Sequence, residues 1–73
     1  MKHERIEINP EVMTGKPVIR GTRIPVDMIL RKLGAGRSEL EILADHPHIG
    51  REDIRAAQAF AADYISSDEL IFG

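Results

Sequence analysis

The amino-acid sequence predicts a small, mainly α domain of three short helices, preceded by a short strand and a β-hairpin. Three observations carry that expectation. The chain has 73 residues, one domain's worth. Three apolar stripes at helical spacing are separated by breaks rich in Gly and Pro. A β-branched run is folded around the dipeptide Gly21-Thr22.

Arg5-Ile6-Glu7-Ile8 alternates polar and apolar side chains, which predicts a half-buried strand over 5–8 with Ile6 and Ile8 on one face. Asn9-Pro10 interrupts it: asparagine caps helices and proline suits a first helical position, so a single turn over 10–13 is expected. Thr14-Gly15-Lys16-Pro17 is a loop. Val18-Ile19-Arg20-Gly21-Thr22-Arg23-Ile24 then predicts a hairpin over 18–24, with Gly21 supplying the positive φ of a type II′ turn. Arg20 and Arg23 flank its tip. Opposed like charges destabilise a hairpin, so an anionic partner, the acidic C-terminal half or simple splaying into water must relieve them.

Pro25 opens a helix over 25–34, in which Val26, Ile29, Leu30 and Leu33 form one buried face. Asp27 in its first turn and Arg31 and Lys32 in its last suit the helix dipole, and Gly34 or Gly36 ends it. Ser38-Glu39-Leu40-Glu41 is a capping box that starts a second helix over 38–45, which must stop before Pro47. Leu40, Leu43 and Ala44 share a face while Ile42 points nearly the other way, so one of Leu40 and Ile42 is surplus to the monomer core. The third helix, 51–65, has Glu52 and Asp53 at its positive end. Its inward stripe is Ile54, Ala57, Ala61, Tyr64 and Ile65, flanked by Phe60. Residues 66–73 form an acidic and apolar tail. Three helices with short connections and a basic hairpin predict a helix-turn-helix-like bundle of the winged-helix or homeodomain-like kind.

A single domain of this size buries only about 60% of its unfolded surface. With no cysteine in the chain there is no disulfide to staple it. A homodimer is therefore expected, with Ile6 and Ile8 pairing with the hairpin in the same chain or across the dimer. Met1-Lys2-His3-Glu4-Arg5 has no apolar run behind it, and no stretch approaches the ~20 apolar residues a bilayer needs. The absence of such a stretch predicts no membrane contact, and the lack of cysteine together with the lack of an export signal leads us to expect a cytoplasmic location.

Charge is unevenly distributed. Residues 1–37 carry eight basic and four acidic side chains, and residues 38–73 carry two basic and eight acidic ones. Such a split suggests one polyanionic partner and one that is not. Lys16, Arg20, Arg23, Arg31, Lys32 and Arg37 are the candidate DNA-binding residues. The third helix is a poor recognition helix, because Glu52 and Asp53 stand where phosphates would be met. Asp68, Glu69, Leu70, Ile71 and Phe72 are the candidate partner-binding segment, suited to adding as a strand or filling a pocket.

Catalysis finds little support. The three serines, Ser38, Ser66 and Ser67, sit at helix ends, and the chain is short for enclosing a water-excluding site. No catalytic residue, small-molecule substrate or cofactor is expected. His46 and His48 flank a proline without a third ligand nearby, which argues against a metal. Gly15-Lys16 lacks the rest of a phosphate loop.

Asn9-Pro10-Glu11, the ungapped stretch Gly15-Lys16-Pro17-Val18-Ile19-Arg20-Gly21-Thr22-Arg23-Ile24-Pro25-Val26, and the spacing onward to Ile29-Leu30, Gly36, Ser38, Ile42-Leu43, Pro47 and Glu52-Asp53-Ile54 resemble the domain of unknown function family 433. The resemblance covers roughly residues 5–62. The sequence departs from the pattern at Met13-Thr14, at His46 and at Ile49-Gly50. The resemblance implies a helix-turn-helix-like fold and an antitoxin-like role beside a PIN-like ribonuclease toxin. The expected function is thus that of a small regulator in a type II toxin–antitoxin pair, neutralising a PIN-like toxin and binding its own operator DNA. The alternatives are a DNA-binding transcriptional regulator without a toxin and a protein-interaction module that binds no nucleic acid.

Overall fold

A computed structural model describes residues 3–67; Met1, Lys2 and residues 68–73 lie outside the described part. Its elements are β1 (Ile6–Glu7), a 3₁₀ turn (Met13–Gly15), β2 (Val18–Ile19), α1 (Val26–Gly34), α2 (Glu39–Asp45) and α3 (Arg51–Ser67). The mainly α class, the three helices and the small β element follow the sequence expectation. Among the described residues no helix is long and apolar enough to cross a membrane.

The two strands pair antiparallel, Ile6 opposite Ile19 and Glu7 opposite Val18. The hairpin is shorter than 18–24. The return from β2 makes one isolated bridge, Val18 to Pro25, and the Ile19 amide donates to the Ile24 carbonyl at 2.9 Å. The turn also differs in type. The Thr22 amide donates to the Ile19 carbonyl, so Gly21, with φ of +80°, is the third residue of its turn. Positive φ there belongs to a type II turn rather than II′. The Thr22 hydroxyl closes the loop, donating to the Ile19 carbonyl at 2.7 Å and accepting from the Ile24 amide at 3.0 Å.

The expected strand over 5–8 is shorter by one residue at each end, and its two isoleucines part company. Ile6 is buried in the core of its own chain, while Ile8 is 58% exposed. Ile6 pairs with Ile19 of the same chain, the first of the two expected arrangements, and Ile8 remains on the surface. The single turn expected over 10–13 appears as a turn closed by the Val12 amide on the Asn9 carbonyl, with the Asn9 side chain accepting from the Glu11 amide. It runs into the 3₁₀ turn, where Met13 and Thr14 adopt φ of 51° and 55°. Side-chain-bearing residues reach that left-handed region only with strain.

α1 begins after Pro25 as N-cap and ends in a Schellman motif. The Gly36 amide donates to the Leu33 carbonyl and the Arg37 amide to that of Lys32, and Gly36 takes φ of +93°. α2 has both bonds of its capping box, Glu41 amide to Ser38 hydroxyl and Ser38 amide to Glu41 carboxylate. At the start of α3 the Asp53 carboxylate accepts from the Gly50 amide at 2.9 Å.

The core joins both strands and all three helices: Ile6, Ile19, Val26, Ile29, Ile42, Ile49, Ile54 and Ala57 are buried, with Ile24, Leu30, Leu33, Leu43, Ala56 and Phe60 packed around them. Of the two α2 residues in question, Ile42 is fully buried and Leu40 is 70% exposed, so Leu40 is the surplus one. Ala44, on the same face as Leu40, is exposed as well. The α3 stripe is corrected at its far end. Ile54 and Ala57 are inside, but Tyr64 and Ile65 are 60% and 54% exposed.

Candidate functional site

Four of the six candidate DNA-binding cations converge. Lys16, Arg31, Lys32 and Arg37 line one broad groove along α1, floored by Met13, Met28 and Ala35. The spacing of α1 explains it: Arg31 lies opposite the buried Val26 and Ile29, Lys32 flanks that face, and the Schellman turn brings Arg37 back beside Lys32. Three of the four are already engaged. Lys16 lies 3.4 Å from Asp27, Lys32 is 3.5 Å from Asp45, and Arg37 donates to Asp45 at 2.9 Å and lies 3.6 Å from Glu41. Among the described residues Arg31 has no ion pair.

Those pairings leave a mark on the acids. The Glu41 carboxyl is held below its ordinary range, first by the Ser38 amide that donates to it and then by Arg37. Asp45 is lowered chiefly by the Arg37 guanidinium. The groove is thus a lattice of alternating charges, not a bare cationic track.

Arg20 and Arg23 stand apart from this groove, at the turn after β2, with His48 beside them. They do not face each other as equals. Arg20 folds back over β1, its guanidinium donating to the Glu4 carbonyl through Nε and to the Ile6 carbonyl at 3.1 Å, while its amide donates to the Arg5 carbonyl. The expected like-charge clash is avoided because Arg20 serves β1. Arg23 is exposed and unpaired among the described residues.

A second surface lies on the adjoining face of α1, with Asp27 bordering both. Pro17, Val26, Leu30, Phe60, Ala61, Tyr64 and Ile65, with Asp27 as the one charged residue, line a largely apolar groove of about 270 Å³ between α1 and the last turns of α3. On the far flank of Phe60, His3 meets the ring edge-on at 5.4 Å and its Nε2 lies 2.8 Å from Asp63. The N-terminal strand is tied to the same helix again by Arg5 and Asp53 at 3.1 Å. Sequence reasoning placed Tyr64 and Ile65 inside and so missed this groove. The signal was available: the apolar stripe of α3 continues for longer than α1 lasts.

The candidate partner segment Asp68, Glu69, Leu70, Ile71 and Phe72 lies outside the described residues. Tyr64 and Ile65 are the exposed apolar side chains that precede it. Among the described residues no group of three or more acidic or histidine side chains has the arrangement to hold a metal ion.

Comparison with known proteins places the chain. The profile of the family described as protein of unknown function (DUF433) matches residues 6–61. An uncharacterized protein of Sinorhizobium fredii, y4eO, is 34% identical over 71 residues, which is 96% of this chain but 32% of that protein. An uncharacterized protein of Archaeoglobus fulgidus is 61% identical over 28 residues, 38% of this chain and 78% of that one. The crystal structure of a DUF433 member protein from Anabaena variabilis superposes with a TM-score of 0.80 at 33% identity, covering 86% of this chain and 62% of the other. The chain thus spans about a third of the length of the Sinorhizobium relative. It belongs to the DUF433 family.

Proposed function

We propose that this member of the DUF433 family is an antitoxin-like binding protein that neutralises a PIN-like ribonuclease partner, with operator DNA as a second ligand. The observation that carries the protein-partner reading is the apolar groove between α1 and α3, edged by Tyr64 and Ile65 at 60% and 54% exposure. Large exposed apolar side chains beside a concave apolar surface mark protein contacts. Carboxylates in the same half of the chain favour encounter with a basic nuclease cleft.

DNA takes second place because Lys16, Lys32 and Arg37 already hold carboxylates, and each pair must be opened before a phosphate is met. What supports it is the pair of uncommitted cations, Arg23 and Arg31. Coexpression tests the protein reading. A PIN-like nuclease encoded beside this chain should arrest growth alone and be silenced by the chain, and Tyr64→Asp with Ile65→Asp should abolish silencing while the helices persist by circular dichroism. Full silencing by that double variant would overturn the placement. A salt titration on operator DNA tests the other ligand: Arg23→Ala with Arg31→Ala should reduce the slope by about 0.9 for each lost phosphate contact. An unchanged slope would remove DNA from the reading.

A further inference from the structure

The turn after β2 carries charge that the fold does not use. We propose that it holds one phosphate group, gripped by the Arg23 guanidinium, the Gly21 amide and the His48 ring. Arg20 supplies a fixed charge beside the site, and Glu7 is the acid that the phosphate displaces. The proposal deepens the operator-DNA reading and rests on it only for the source of the phosphate.

Rigidity comes first. The Ile19 amide donates to the Ile24 carbonyl, the Thr22 amide to the Ile19 carbonyl, and the Thr22 hydroxyl bridges Ile19 and Ile24. Arg20 is pinned by the Glu4 and Ile6 carbonyls, neutral acceptors that leave its charge uncancelled. His48 enters from the loop between α2 and α3, beside the buried Ile49, whose amide donates to the His46 carbonyl at 3.1 Å. Arg20, Gly21, Arg23 and His48, with Thr22 and Ile24, line one open concavity of about 570 Å³. That lies within the roughly 300–1,000 Å³ of small-ligand sites, room for a phosphate and the sugar it esterifies.

The donors come next. The Gly21 amide makes no bond to the backbone of its own turn. The Glu7 carboxylate approaches it at 3.5 Å, beyond the roughly 2.7–3.2 Å of a well-made N–H to oxygen bond. Gly21 has φ of +80°, and a Cβ there would meet nothing within 4 Å, so a ligand can approach the backbone closely. A carboxylate drawn to this amide marks it as a place for an anion, and a phosphate brings more charge and more acceptor oxygens. Arg23 is exposed and unpaired among the described residues, and its planar fork of N–H groups matches phosphate geometry. The His48 ring adds a further N–H.

The α1 groove is the rival place for a phosphate. There Lys16, Lys32 and Arg37 must first leave their carboxylates. At the turn the lining holds no acid, and only the long Glu7 contact has to open.

Amide chemical shifts of the full chain, followed by nuclear magnetic resonance, read the site. Inorganic phosphate, chloride at equal ionic strength and a short DNA duplex are the probes. The expected result is a saturable response to phosphate, and not to chloride, at Gly21, Thr22 and Arg23. Arg23→Ala should weaken it about tenfold or more, the loss of a charge-assisted hydrogen bond. Glu7→Gln should tighten it about two- to fivefold, as removal of one exposed like charge does. Circular dichroism confirms that both variants are folded. The same amides responding to DNA identify the source as the nucleic-acid backbone. A response to inorganic phosphate without one to DNA keeps the site, assigns it to free phosphate and refutes the operator reading. DNA that shifts Arg31 and Lys32 while neither probe moves the turn overturns the inference and keeps the operator reading. Equal phosphate affinity in Arg23→Ala and the parent also overturns it.

Discussion

Ile54 and Ala57, in the first half of α3, have no exposed surface, whereas Tyr64 and Ile65, farther along the same stripe, are more than half exposed. The helix is continuous and the spacing does not change, so the difference lies in what stands opposite. α1 has nine residues and α3 has seventeen, about 13 Å against 25 Å at 1.5 Å per residue. Ile54 and Ala57 pack in the core shared with α1, α2 and β1; among the described residues the last turns meet the edge of α1 and Pro17 around the groove, and His3 through Asp63. One apolar stripe thus does two jobs, closing the core and presenting a surface.

Substitutions along α3 sharpen that contrast most. Ile54→Ala should remove about 2–5 kcal/mol, comparable with the ~3–5 kcal/mol that a core of this size supplies. A large unfolded fraction should appear in thermal denaturation followed by circular dichroism. Ile65→Ala should stay within about 0.5 kcal/mol. Similar losses at both positions would mean that the second half of α3 is part of the core.

The two arginines of the turn offer the same test on a smaller scale. Arg20→Ala removes the guanidinium from the Glu4 and Ile6 carbonyls and should cost about 1 kcal/mol, the usual net worth of a hydrogen bond. Arg23→Ala should fall within about ±0.5 kcal/mol, as exposed substitutions do. Equal midpoints in urea would show that Arg20 has no structural duty.

Smaller again is the left-handed turn before β2. Met13→Gly should stabilise by about 0.5 kcal/mol, the strain of roughly 1–2 kcal/mol in a left-handed residue less the roughly 0.5–1 kcal/mol of added glycine entropy. A higher midpoint confirms it; a lower one means that the Met13 side chain in the basic groove outweighs the strain.

The least effect belongs to the surface acids. Glu41 and Asp45 are lowered in the folded chain. Their contribution is therefore present above their ordinary values of 4.5 and 3.8 and is lost as pH falls through the lower folded ones. Glu41→Gln should flatten the decline of stability below about pH 4.5. An unchanged acid limb in that variant would show that the capping carboxylate carries none of it.

How much was legible in the sequence follows the same division. The capping box at Ser38 and Glu41, Pro25 as a helix opener and the stop before Pro47 were all readable, and the boundaries of α1 and α2 came within a residue of expectation. The convergence of Lys16, Arg31, Lys32 and Arg37 was only half readable, since nothing in their spacing showed that Asp27, Asp45 and Glu41 already hold three of them. The apolar groove was missed because periodicity marks a face and not how far its cover extends.

By itself the sequence determined the helices and their caps, because each rests on groups within four or five residues of one another, where the backbone bonds and the side-chain period are local. Only the tertiary structure decided that Ile42 and not Leu40 enters the core, that Ile6 is inside while Ile8 is not, that Arg20 binds the β1 carbonyls, and that Tyr64 and Ile65 are left uncovered. Each of those outcomes depends on an element distant in sequence arriving, or failing to arrive, opposite the residue concerned.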